Sequence, residues 1–422
     1  MLSALVACLA VMSESVPPEL DAYLKRPDSS FAWSKKEPGL ASLHIRMTSQ
    51  TWRNVRWTHD IVLTKPAKPA KGDTAILYIT GGEPNKADLA EAQKLADLAK
   101  MPVAHLFQIP NQPLFGMNED DLIAHTFEQF LKAGETDWPL LFPMVKSAIR
   151  AMDTLVTATA SSPQPLKRFV VTGASKRGWT AWFAGAANDS RVIGIAPMVF
   201  DNLNMKPQLE HQLKSWGKYS EMIADYTDRG LDKILDTPPG KKLVAMVDPY
   251  AYRSRITMPK MIVNGSNDRY WTVDALSLYW NELPGPKYLS IVPNAGHLLG
   301  DMNQALNAIA VFAKSVVRKQ ALPRLTTYLA PDRRLLSMIL DDLPKDFRFV
   351  DGGFWIAQAP TADFREAVWK WQSTPFTSTG HGFGQATWVP PKSKEGRIAV
   401  LGMVEVDVQG QKHRLSIPVQ VF

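Results

Sequence analysis

A chain of 422 residues that is 45% hydrophobic and 21% charged has core enough for two or three domains, and its formal charge of +7 comes from 48 basic against 41 acidic residues with no long basic run. That balance gives no ground for nucleic-acid binding, and a single cysteine, Cys8, excludes a disulfide framework within the chain. No HExxH or CxxC spacing offers a metal site, and beyond residue 12 no apolar run approaches the roughly 18 to 20 residues of a membrane-spanning helix.

The apolar start, Leu2 to Met12, resembles the end of a secretory leader, and Leu5-Val6-Ala7-Cys8 resembles a lipoprotein cleavage box without its basic flank. Residues 1–20 are therefore read as an export signal or its remnant, which implies a periplasmic or secreted protein with anchoring to the envelope through the N-terminus. From Tyr23 to Pro66 alternating segments predict an antiparallel lead-in to a sheet, in which His44 and His59 are packing or surface residues. Thr74 to Thr80 is a continuous apolar strand of the kind buried in a parallel sheet, and it runs into Gly81-Gly82-Glu83-Pro84-Asn85. Without a side chain, Gly82 lets a backbone N–H approach a substrate oxygen, and Glu83 beside it is a candidate for substrate contact. A helix over Ala87 to Lys100, a strand over Val103 to Ile109, an acidic insertion with a helix over Leu122 to Leu131, and a helix over Pro143 to Ala158 complete a βαβ alternation.

Phe169-Val170-Val171-Thr172-Gly173-Ala174-Ser175-Lys176-Arg177-Gly178-Trp179 then breaks an apolar run at a glycine, offers one serine and passes into a helix. A serine on such a turn is forced outward while the new helix points N–H groups at whatever bonds to it, as in a nucleophile elbow. The second small residue is displaced, so the motif reads GxSxxG. The competing cofactor loop TGxxxGxG would need glycines where Arg177 and Trp179 stand, and no tyrosine has lysine four places on.

A buried helix from Trp179 to Ala187 and a strand from Arg191 to Phe200, ending at Asp201, follow. Residues 202–256 do not alternate and are read as a cap, whose Trp216 and Tyr250 are candidates to line a substrate pocket. Lys260 to Asn264 is the next strand, with Asp268 and Trp271 on the loop beyond it; a helix over Ala275 to Leu283, a strand over Tyr288 to Val292, the loop Pro293-Asn294-Ala295-Gly296-His297 and a helix over Met302 to Val317 end the domain. His297 alone among the histidines after Ser175 follows a sheet strand; His211 falls in the cap, and His381 and His413 in the C-terminal region. Ser, Asp, His is the chain order of a hydrolase triad, with backbone N–H groups of Lys176 and Gly82 as oxyanion donors. Asp201 and Asp248 compete with Asp268 for the place of the acid. From Leu322 the alternation stops, and strands over Arg348 to Ala357, Asp363 to Gln372, Ile398 to Val408 and Lys412 to Phe422, the last two joined by a turn at Asp407-Gln411, predict a β-sandwich-like domain. The division is an α/β-hydrolase domain over 21–321, with its cap at about 202–256, and a β domain over 322–422.

GASKRGW, VDPYAYR, NGSNDRYW and PNAGH, together with DFREAVWKW near the C-terminus, resemble the PhoPQ-activated pathogenicity-related protein family. The resemblance implies an α/β-hydrolase fold and an exported protein of the bacterial envelope, and it carries Ser175, Asp268 and His297 over as the triad. The GxSxxG form is also similar to that of glucuronoyl esterases, which act on acidic sugar esters. A serine hydrolase of this kind, needing no cofactor, acts on a small-molecule or peptide substrate. Ester and amide remain open, as does a binding protein that keeps the fold without turnover. Lys176 and Arg177 beside the serine point to an anionic group on the substrate, the alternative being that Arg177 turns into a structural salt bridge with a cap or rim carboxylate.

Overall fold

The computed structural model describes residues 15–37, 42–300, 302–377, 383–391 and 395–422. Residues 1–14 of the expected leader, with Cys8, and His381 lie outside these residues. After a short helix α1 (Glu19–Lys25), the chain enters a nine-stranded sheet through β1 (Ala32–Lys36), β2 (Leu43–Trp52) and β3 (Val55–Thr64), which pair antiparallel as the alternating pattern predicts. The parallel part holds β4 (Thr74–Ile79), β5 (Val103–Leu106), β6 (Arg168–Ala174), β7 (Val192–Met198), β8 (Lys260–Gly265) and β9 (Lys287–Val292), and the lateral order is β1-β2-β3-β5-β4-β6-β7-β8-β9. Every residue of β4 is buried, which is why that strand reads as an unbroken apolar run: helices cover both faces of the sheet there.

The crossovers are α2 (Lys86–Ala99), α3 (Glu119–Ala133), α4 (Leu141–Thr159), α5 (Lys176–Ala186) and, at the end, α9 (Asn303–Arg318). α4 and α5 pack together on one face, and α2 and α9 on the other. Between β7 and β8 the chain leaves the sheet for α6 (Met205–Trp216), α7 (Ala224–Thr227) and α8 (Pro238–Val247), the cap expected from the loss of alternation. The segment predicted as a helix over Ala275 to Leu283 is instead two 3-10 turns, Ala275–Leu278 and Trp280–Glu282.

The C-terminal part is two antiparallel sheets. One orders β10 (Arg324–Leu329), β11 (Leu336–Asp342) and β14 (Gly384–Trp388); the other orders β13 (Lys370–Ser373), β12 (Phe347–Ala359), β15 (Arg397–Val408) and β16 (Gln411–Ser416), with β17 (Gln420–Val421) on β15. Gln409 and Gly410 both take positive φ in the two-residue turn from β15 to β16, the backbone a tight hairpin requires. The strand predicted over Asp363 to Gln372 is confined to β13, because residues 363–369 leave the sheet and run over the loops that follow β8 and β9.

Candidate functional site

Ser175 stands between β6 and α5 at φ +57°, ψ −129°, a conformation that a non-glycine residue takes only when its surroundings hold it there. The spacing of the glycines follows from packing. A Cβ on Gly173 would lie 2.7 Å from the carbonyl oxygen of Arg177, and one on Gly178 would lie 2.7 Å from that of Met198 in β7. The second close approach is thus made at position 178, and position 177 is free to carry a large side chain. Lys176 opens α5, so its N–H is among the helix-start donors without an intrahelical acceptor.

The loops beyond β8 and β9 bring Asp268 and His297 together. His297 Nδ1 lies 2.8 Å from Asp268 Oδ2, and Asp268 Oδ1 accepts the N–H of Tyr270 at 2.9 Å. With Nδ1 donating to the carboxylate, Nε2 is left as an acceptor; it is buried and has no hydrogen-bond partner, so no bond to Ser175 Oγ is formed in this state. The Tyr270 ring lies against the imidazole, with centroids 4.2 Å apart. The rival acids are engaged elsewhere. Asp248 accepts N–H groups of Asn204, Met205 and Tyr250, holding the start of α6 to the turn after α8. Asp201 accepts the Tyr279 hydroxyl at 2.5 Å and the Asn264 amide at 2.9 Å, and desolvation pushes its carboxyl up to about 7.

Ser175 and His297 line one cavity of about 110 Å³ beneath the cap. Its wall is mostly apolar, with Phe127, Trp179, Phe200, Leu231, Val247 and Trp271 among its members. Trp179 stacks on Phe200 at 4.8 Å and gives its indole N–H to the Val247 carbonyl at 2.7 Å, fixing α5 against the cap.

Of the other candidates, Trp271 is in the cavity wall, whereas Gly82, Glu83, Arg177, Trp216 and Tyr250 are not. Gly82 is exposed on the loop after β4, at φ +43°, with its carbonyl taken by the Gln108 N–H, and Glu83 next to it is exposed. Trp216 lies under the Arg365 guanidinium and Tyr250 under that of Arg253. Arg177 forks onto Glu119 with two bonds of 2.7 Å and gives Nε to the Ile109 carbonyl at 2.6 Å. Lys176 is buried, its Nζ 2.7 Å from Glu119 and 3.0 Å from Asp120. Both cations that pointed to an anionic substrate are therefore paired with carboxylates from the start of α3, and those two cations hold the Glu119 carboxyl well below the usual carboxylate range against the opposing effect of its burial. Sequence reasoning passed over Tyr270, Asn202 and Asp232, and also Asn267 and Asn294, whose partners lie far along the chain. Tyr270 alone had a local signal, being two places after the acid.

A sequence model of the family described as PhoPQ-activated pathogenicity-related protein matches residues 20–365. Autocrine proliferation repressor protein A of Dictyostelium discoideum is 32% identical over 342 residues, 75% of this chain and 69% of that protein. Among solved structures, acetyl xylan esterase 1 from Thermoanaerobacterium sp. JW/SL YS485 is similar with TM-score 0.47 and 14% identity, over 71% of this chain and 95% of that one. An S-formylglutathione hydrolase from Agrobacterium tumefaciens is similar with TM-score 0.45 and 13% identity, over 67% and 98%.

Proposed function

The chain belongs to the PhoPQ-activated pathogenicity-related protein family, and from its site we propose that it is a serine hydrolase of carboxylesterase type, with Ser175 as nucleophile, His297 as base and Asp268 as the acid that orients it. One observation carries this reading: the imidazole is held by Asp268 at 2.8 Å through Nδ1 while its unpartnered Nε2 and the strained Ser175 belong to the same cavity wall. Apo sites often hold such pairs apart and close them on substrate. In the reaction, Ser175 Oγ bonds to the acyl carbon as Nε2 takes its proton, and the carbonyl oxygen gains the negative charge. The Lys176 N–H, free of an intrahelical acceptor at the start of α5, is the donor we assign to that charge. Collapse of the intermediate breaks the bond to the leaving group, which receives the proton from Nε2. Water then repeats the sequence on the acyl-serine, with the same base.

A fluorophosphonate probe should label the intact protein and leave Ser175→Ala unlabelled. Equal labelling of the two proteins would remove Ser175 from this role, and a folded protein that takes no label would favour a binding protein on the same fold.

A further inference from the structure

The cavity shared by Ser175 and His297 takes its hydrocarbon wall from two parts of the chain. The sheet domain supplies interlocked rings: Phe127 of α3 meets Trp179 of α5 edge-on with centroids 6.1 Å apart, and Trp179 stacks on Phe200 at 4.8 Å. The cap supplies aliphatic side chains, among them Leu231, Leu243 and Val244. The charged groups of the same wall are already satisfied or in reach of water. Asp120 accepts the Tyr226 hydroxyl at 3.0 Å and pairs with Lys176 Nζ at 3.0 Å, Lys176 bonds Glu119 as well, and Asp232 is only partly buried.

A charged group entering such a space gives up its hydration and gains no partner, whereas each methylene that enters is stabilised by leaving water. Size sets the second limit. An apolar cavity of about 150 Å³ takes up benzene, so the 110 Å³ here corresponds to roughly four carbons. We propose that this cavity receives a short, uncharged hydrocarbon group carried by the ester that Ser175 attacks. The proposal names the substrate class for the hydrolase reading above and rests on that reading for turnover, not for binding. A neutral group replaces the anionic one that Lys176 and Arg177 suggested in the sequence, since both cations are bonded to carboxylates of α3. The rings are packed on one another and the Trp179 indole is bonded to the Val247 carbonyl at 2.7 Å, so the wall resists widening and a longer chain is cut off.

Binding can be read without turnover, by ligand-observed NMR on the Ser175→Ala protein with straight-chain amides from acetamide to octanamide. Affinity should rise about fourfold with each methylene up to pentanamide and gain nothing beyond hexanamide. Succinamate and 4-aminobutanamide, which end chains of similar length in a carboxylate or an ammonium, should bind roughly tenfold or more weakly than pentanamide. Val244→Phe should shorten the best-bound chain and Val244→Ala should lengthen it, opposite shifts that a general loosening of the fold does not produce, with melting curves showing that each variant is folded. In the active protein, esters lengthened on the acyl side and esters lengthened on the alcohol side separate the two places the group can occupy, because the series in which kcat/KM peaks names the side. Affinity that climbs through octanamide, a charged chain bound as tightly as pentanamide, a best length that neither Val244 variant moves, or no binding of any amide would overturn the proposal. Labelling of Ser175 by fluorophosphonate reports separately on the hydrolase reading, so the two can fail independently.

Discussion

At position 177, one place before the displaced glycine of the elbow, a guanidinium reaches three separate segments. Its bonds to Glu119 and the Ile109 carbonyl tie the elbow to α3 and to the loop after β5, and Gly81 sits so close above it that a methyl group there would overlap the guanidinium. The loop after β4 is thus held by the glycine fitting over Arg177, not by its own turn alone. Gly81→Ala should destabilise the protein by about 1 to 3 kcal/mol, the usual cost of overpacking, and the loss should shrink in an Arg177→Ala background where the room exists. A double-mutant cycle in urea checks this, and equal losses in both backgrounds would show that the two residues are uncoupled. The serine and its turn were legible in the sequence because an elbow is local, written within a few residues of β6 and α5. A salt bridge from Arg177 to a rim carboxylate was one of the two readings open to it, but which carboxylate was not legible, since Glu119 lies 58 positions upstream and nothing near the serine announces it.

The loops that end β8 and β9 could be read together as carriers of the proposed acid, Asp268, and the proposed base, His297, because βα grammar places them at one end of a parallel sheet. What holds them there is written elsewhere. Asn267, beside the acid, gives its amide to the carbonyls of Phe364, Arg365 and Ala367 at 3.2, 3.2 and 2.8 Å, and Asn294, three places before the histidine, bonds the backbone of Trp369 through both its oxygen and its nitrogen. Residues 363–369 were predicted as strand from their apolar alternation; their backbone instead satisfies these two asparagines, a pairing across 75 to 100 positions that no local pattern contains. Asn294→Ala should lower kcat by roughly ten- to a hundredfold with KM little changed, because it loosens the histidine loop without touching the cavity. Asp268→Asn sets the scale: loss of the charge that holds the imidazole tautomer should cost two to four orders of magnitude, near the ~10⁴ known for a serine protease. If Asn294→Ala lowers the melting temperature while leaving kcat intact, the strap is structural only.

Across the whole molecule the boundary expected at residue 322 separates two kinds of secondary structure but not two cores. One apolar cluster runs from Val170, Val263 and Phe312 of the sheet domain to Met338, Phe354 and Leu415 of the C-terminal sheets. β16 lies along the outer edge of the large sheet, where the Ile291 N–H of β9 donates to Ser416 Oγ at 3.1 Å, and the Gln411 amide reaches Asn307 of α9 at 3.0 Å. An edge strand left open would pair with other chains, and here the C-terminal sheets cover it. The change of grammar at Leu322 was visible because periodicity switches from 3.6 to 2; the shared core was not, because an apolar strand face looks the same whether it meets its own sheet or a neighbouring helix. Ion pairs from Arg269 to Glu366 and from Arg365 to Glu221 extend the same contact to the acid loop and the cap. Shared packing of this kind makes unfolding of either part expose the other, so calorimetry on the full chain should give one cooperative transition, with calorimetric and van't Hoff enthalpies equal. Two resolved transitions, with Ser175 still reactive toward fluorophosphonate after the first, would mean that the sheet domain holds its site without the C-terminal sheets, and that the bonds from Asn267 and Asn294 follow from catalytic geometry instead of maintaining it.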